Sequence, residues 1–83
     1  MQITLDKLPT GNSAKILNIN AGDAFKKRLL DLGFVKGTSI TNLYKSPFND
    51  PTCYLVKGCF IALRNKDSKN IVVDMESDYN GAY

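Results

Sequence analysis

The stretch Cys53-Tyr54-Leu55-Val56-Lys57-Gly58-Cys59-Phe60-Ile61-Ala62-Leu63-Arg64 decides the fold. Two apolar runs flank Lys57-Gly58, where a glycine can take the positive φ that a tight hairpin turn requires. A two-residue turn sets Val56 opposite Cys59, Leu55 opposite Phe60 and Tyr54 opposite Ile61. One side of the hairpin then carries Tyr54, Val56, Cys59, Ile61 and Leu63, and the other carries Cys53, Leu55, Phe60 and Ala62. Both sides are apolar. One can face a core, and the other needs cover from a helix or from another protein. Cys53 and Cys59 fall on opposite sides, which argues against an intrachain disulfide.

Outward from the hairpin, Ser39 to Tyr44 reads as the preceding strand, rich in Ile, Thr and Tyr. Ser46-Pro47-Phe48-Asn49-Asp50-Pro51 lies between them. Its two prolines lack N–H donors and bias the residues before them, so it is a surface loop. Downstream, the polar stretch 65–70 has room for one helical turn. Ile71-Val72-Val73 is the last strand, and 77–83 reads as a frayed tail.

Upstream, Met1 to Leu8 is a short lead-in and Pro9-Thr10-Gly11-Asn12 has turn chemistry. Ala14 to Ile19 is the first strand. Asp23 fits a helix N-cap, because its carboxylate can accept from free N–H groups of the first turn. Phe25, Leu29 and Leu32 then recur at helical spacing as one apolar stripe. Gly33 ends the helix. With Gly33 at C′, Leu29 and Phe34 become the pair that meets in a Schellman cap. In Val35-Lys36-Gly37-Thr38, Gly37 sits where a type II turn needs positive φ. The expected fold is mainly β: five strands closed into a small barrel, with one short helix after the first strand. The barrel covers 1–75, and 76–83 is expected to be a disordered tail.

The 83 residues suffice for one domain, and 43% hydrophobic with 23% charged residues is ordinary for a globular chain. No apolar run approaches the roughly 20 residues that span a bilayer, and Met1 to Lys7 lacks a secretory apolar region. The chain is therefore expected to begin at Met1, to stay in the cytoplasm and not to insert in a membrane. Two cysteines in such a chain read as free thiols. Residues 1–73 carry all 11 Lys and Arg against five acids, a net +6. A basic body of this kind can meet an acidic partner, a membrane face or nucleic acid, or it can simply be solvated.

Catalytic groups are sparse. There is no histidine, the commonest general base and transition-metal ligand. The acids are scattered and no phosphate-binding glycine loop occurs. No enzyme activity, cofactor or resident metal is expected. Cys53 and Cys59 are a weak alternative as ligands of a divalent metal, against a plain role as small apolar side chains. Lys26-Lys27-Arg28 is either a solvated helix face or a contact. Arg28 is its distinctive member, because the planar guanidinium pairs bidentately with carboxylates. Nucleic acid is not expected, since core packing accounts for Tyr54 and Phe60 without a stacking platform. Arg28, Phe48, Tyr54 and Arg64 are the candidate partner-binding residues, combining expected exposure with anchoring chemistry. Arg64 has an alternative role as a clamp on Asp67.

Arg28-Leu29-Leu30-Asp31-Leu32-Gly33-Phe34-Val35-Lys36-Gly37 resembles the R-L-x-x-L-G-[FL]-x-x-G block of the FeoA family. Pro47 and Asp50-Pro51 match that family's P-x-x-D-P loop. Val56-Lys57-Gly58, Ile61-Ala62-Leu63-Arg64, and Ile71 with Val73 match its V-x-G, I-A-L-R and I-x-V elements. Leu5, Leu8, Gly11, Ala14, Ile16 and Ile19 fit its opening. The resemblance covers about 5–73. It implies an SH3-like barrel in which Leu29, Leu32, Gly33, Gly37, Gly58 and Leu63 are structural. It also implies a non-catalytic, cytoplasmic accessory or regulatory role beside FeoB, the membrane ferrous-iron transporter with a GTP-binding domain. The same barrel recurs at the C-terminus of iron-dependent repressors, so a metal-responsive ligand-binding domain is the alternative. With no DNA-binding region before the match, a complete repressor is not expected. Ser68 departs from the family, which often has Ala there, and is expected on a surface turn.

Overall fold

The lead-in is part of the fold. In the computed structural model, which describes residues 1–48 and 50–75, Gln2–Thr4 forms strand β1 and Leu5–Lys7 a 3-10 turn. Leu5 and Leu8 are fully buried. The remaining elements are β2 (Ser13–Ile19), α1 (Asp23–Asp31), β3 (Ser39–Lys45), β4 (Thr52–Val56), β5 (Cys59–Leu63), α2 (Asn65–Ser68) and β6 (Ile71–Met75). The helix thus follows the second strand. Six strands form one antiparallel sheet in the order β1-β6-β2-β3-β4-β5. The expected five-stranded closed barrel is corrected to six strands, with β1 and β5 as two unjoined edges. The expected tail, 76–83, lies outside the described residues.

The hairpin has the expected register. Val56 pairs with Cys59, Leu55 with Phe60 and Tyr54 with Ile61. Lys57 and Gly58 have φ of +51° and +79°, the two positive values of a type I′ turn. The helix end is also as the sequence dictates. Gly33 has φ +101°. Its N–H donates to the Leu30 carbonyl at 3.0 Å and the Phe34 N–H to the Leu29 carbonyl at 2.9 Å, the two bonds of a Schellman cap. The other end differs. Asp23 is the first helical residue, Gly22 is the N-cap, and the Asp23 carboxylate makes no capping bond. A charge one place further in still complements the helix dipole.

The core draws on nearly every element: Leu5 and Leu8, Ala14, Ile16 and Ile19, Leu29 and Phe34, Ile40, Tyr54 and Val56, Leu63, Ile71 and Val73. Ile16 and Ile19 are three residues apart yet share the buried face. The register of β2 on β6 shifts between Ile16 and Asn18, so Leu17 is the extra residue of a bulge. A second shift, between Asn42 and Tyr44, displaces Leu43 in β3. Such bulges increase the local twist, which curls a short sheet around its core. Leu32 is 42% exposed, so the α1 stripe buries Leu29 fully and Phe25 only partly.

Asn42 is a buried polar residue with a clear task. Its side-chain amide donates to the Leu8 carbonyl at 2.7 Å, and its backbone bonds both Gly11 and Asn12. It ties the N-terminal segment to β3. Replacing Leu5 by Ala, in the segment that the sequence reads only as a lead-in, should destabilise the fold by about 2–5 kcal/mol. Chemical denaturation should show a lower midpoint with an unchanged slope.

Candidate functional site

Helix α1 and edge strand β5 face each other across a cleft of about 260 Å³. Phe25, Arg28, Leu29 and Leu32 form the helix wall. Ile61, Ala62 and Leu63 form the strand wall, and Arg64, Lys66 and Asp67 close one end. Both walls carry apolar side chains, and among the lining residues three cations against one acid leave the cleft net positive. Among the described residues neither Arg28 nor Lys66 has a carboxylate within 4.0 Å.

Of the four residues expected to bind a partner, Arg28 and Arg64 meet at this cleft. Phe48 is 88% exposed in the β3–β4 loop. Tyr54 is corrected: it is 1% exposed and belongs to the core. Phe60, expected as packing, is 75% exposed on the outer face of β5. It shares that face with Tyr44, Cys53 and Leu55, so the helix does not cover both sides of the hairpin. Phe60 and the cleft escape a sequence reading because only the strand order shows that β5 has no neighbour beyond it.

The expected Arg64–Asp67 clamp is replaced by a partner from a distant loop. Asp50 accepts the Asn65 N–H at 2.9 Å and lies 3.9 Å from the Arg64 guanidinium. The aspartate of the P-x-x-D-P loop thus caps α2 and leaves Arg64 largely exposed. Such an exposed pair adds little stability.

Ser68 is also corrected, being fully buried rather than on a surface turn. It lies beside the Tyr54 hydroxyl together with Thr52. Burial raises the Tyr54 phenol above its ordinary value of 10.0. The Ser68 and Thr52 hydroxyls oppose that shift, and the Asp6 charge adds to it. At the surface the Tyr44 phenol is also raised, first by its hydrogen bond to Cys53 and then by that thiol's charge. Cys53 and Cys59 are free and sit on opposite faces of the hairpin. Among the described residues, no three His, Cys, Asp or Glu gather to hold a metal ion. No helix there is long and apolar enough to cross a membrane.

A family model described as the FeoA domain matches residues 3–75. The chain belongs to the FeoA family. Among curated relatives, the Porphyromonas gingivalis Fe(2+) transport protein A/Fe(2+) transporter FeoB fusion protein is 36% identical over 73 residues. That match takes in 88% of this chain but only 9% of the fusion protein. Stenotrophomonas maltophilia FeoA, solved in complex with zinc and described as an SH3 domain protein, is 37% identical with a TM-score of 0.77. The match covers 87% of this chain and 89% of that one. The SH3-like character is therefore shared, in the open six-stranded form described above. A manganese-dependent transcriptional repressor, at 13% identity and TM-score 0.80, matches 90% of this chain and 42% of its own. At that identity it shows the fold alone. The cleft residues Arg28, Leu29 and Leu32, and Ile61 to Arg64, lie in two of the FeoA motifs.

The Tyr54 shift has a pH consequence. The folded chain holds the neutral phenol more firmly than the unfolded chain does. That advantage is complete below pH 10 and is lost as pH rises through the folded-state value. Tyr54→Phe removes the buried hydroxyl beside Ser68 and Thr52 and should cost about 1 kcal/mol at pH 7. It should also flatten the fall of melting temperature above pH 10, as thermal unfolding from pH 7 to 11 will show.

Proposed function

We propose that this FeoA-family chain is a non-catalytic accessory protein of ferrous-iron uptake, acting in the cytoplasm by binding the GTP-binding transporter FeoB. The observation that carries this reading is the fusion relative, in which a unit 36% identical to this chain is joined to FeoB in one polypeptide. Fusion holds two partners at high effective concentration, and separate chains need a contact surface to reach the same association. The cleft between α1 and β5 supplies candidate chemistry. It is apolar at its centre and cationic at its rim, the arrangement of a protein interface with a charged border.

A metal-responsive regulatory domain is the second reading, favoured by the zinc complex of the Stenotrophomonas relative. It lacks a ligand cluster among the described residues, so the docking reading is preferred. Metal titration followed by NMR separates the two. Saturable shifts at Cys53 or Asp50 at micromolar metal would favour the metal reading.

Immobilised chain should retain full-length FeoB, or its soluble GTP-binding domain, in a pull-down. Arg28→Glu should weaken that binding by about fivefold or more, the loss typical of an interface residue contributing about 1 kcal/mol. Folded chain that retains neither form would count decisively against the proposal.

A further inference from the structure

The hairpin register decides which backbone groups of β5 are free. In a two-residue hairpin the pair flanking the turn exchanges both backbone hydrogen bonds, and bonded and non-bonded pairs alternate from there. Val56–Cys59, Tyr54–Ile61 and Thr52–Leu63 are the bonded pairs, and Leu55–Phe60 and Cys53–Ala62 lie between them. The N–H and C=O groups of Phe60 and Ala62 therefore point away from β4. Among the described residues no strand lies beyond β5. An edge strand with free backbone groups is a template for pairing with another chain, and proteins usually blunt such edges with charge, proline or cover. This edge has none of these at its centre and instead carries Phe60, 75% exposed.

The two sides of that edge differ. On the inner side the cleft presents Phe25, Leu29 and Leu32 of α1. On the outer side Phe60 stands with Tyr44, which is 59% exposed. Arg28, Arg64 and Lys66 line the inner side against Asp67, with Asp50 3.9 Å from Arg64, so the described cations there still outnumber the acids. We infer that the free edge of β5 receives an extended, acidic segment of a partner protein as an added seventh strand. Its side chains on the cleft-facing side are apolar at the centre, where they enter the α1–β5 cleft, and acidic towards the ends, where they meet Arg28 and Arg64. Main-chain bonds to Phe60 and Ala62 supply the register, and the cleft and rim supply selectivity. A second copy of this chain is disfavoured as occupant, because it would bring the same cations against each other. The inference rests on the reading above that the chain works by binding a protein, and it adds the surface and the chemistry of the bound segment.

The test uses the full chain labelled with ¹⁵N and two blocked seven-residue peptides, Glu-Thr-Leu-Thr-Leu-Thr-Glu and its counterpart with lysine in place of both glutamates, in which the leucines and the charged residues share one face of the strand. The glutamate peptide should give saturable shifts at Phe60, Ala62 and Arg28, and should slow amide exchange at Phe60 and Ala62 by about tenfold or more. The lysine peptide should do neither. Ala62→Pro deletes an outward N–H without removing a bond to β4, so it should fold and lose the peptide. Arg64→Glu, which leaves the edge backbone intact and brings the lining charges to balance, should abolish the preference between the two peptides. Shifts away from β5, an equal response to both peptides, full binding by Ala62→Pro, or self-association through β5 would each overturn the inference. If Ala62→Pro still retains FeoB, the accessory reading stands and the strand-addition inference falls. If the peptide binds as expected while FeoB is never retained, the edge stands and FeoB is the wrong partner.

Discussion

Two consecutive positive φ values, at Lys57 and Gly58, constrain more of this molecule than any other local feature. They shorten the hairpin loop to two residues, which fixes the register of β5 on β4. Because side chains alternate, a slip of β5 by one residue would exchange the faces of all five of its residues. Leu63 would leave the core, and Phe60 would turn towards it. Lysine is not a usual occupant of the left-handed region, which costs a non-glycine residue about 1–2 kcal/mol. Its methylenes lie over Gly33, where an added Cβ would sit 3.1 Å from the Lys57 Cδ. Gly33 is thus required twice, for its φ of +101° and for the space above it. The hairpin turn and the helix cap are one contact seen from two elements, and that contact holds α1 opposite β5.

The parts legible in the sequence are those set by short-range chemistry. The turn at Lys57-Gly58, the cap at Gly33 and the bonded pairs of the hairpin depend on residues within eleven positions of each other. The parts that were not legible depend on strand order. Gln2–Thr4 has too few residues to announce a strand, and becomes one because β6 offers it an edge. Ser68 looks like a turn residue until the Tyr54 hydroxyl is found beside it. Asp50 has no reason to cap α2 except that the β3–β4 loop folds back over Asn65. Leu17 and Leu43 are the extra residues of bulges, which no strict alternation predicts.

The same distinction divides the candidate site. Arg28 and Arg64 are 36 positions apart, and the sequence singles out each for expected exposure and anchoring chemistry. Their meeting at one cleft is a property of the fold. Tyr54 was chosen for the same anchoring chemistry and is instead the largest fully buried side chain. An aromatic residue in a strand carries no label for core or surface beyond its phase. Tyr54 and Phe60 differ by one step of that phase across the turn.

The position of the FeoA motifs follows from this geometry. The helix block contributes one wall of the α1–β5 cleft and the I-A-L-R element contributes the other. The leucines and glycines of both have structural duties in cap, core and turn. Arg28 and Arg64 have none that stability requires, since one has no carboxylate within reach among the described residues and the other holds Asp50 only at 3.9 Å. A side chain that folding leaves free, on an element that folding holds rigidly, is suited to contact with something else. Its counterpart on β5 is the unpaired backbone between Cys59 and Leu63. Closing the barrel through β1 would have satisfied that backbone and erased the cleft. The open sheet keeps an apolar wall, positive side chains and outward main-chain donors at one cleft, and each is incomplete as a binding surface without the other two.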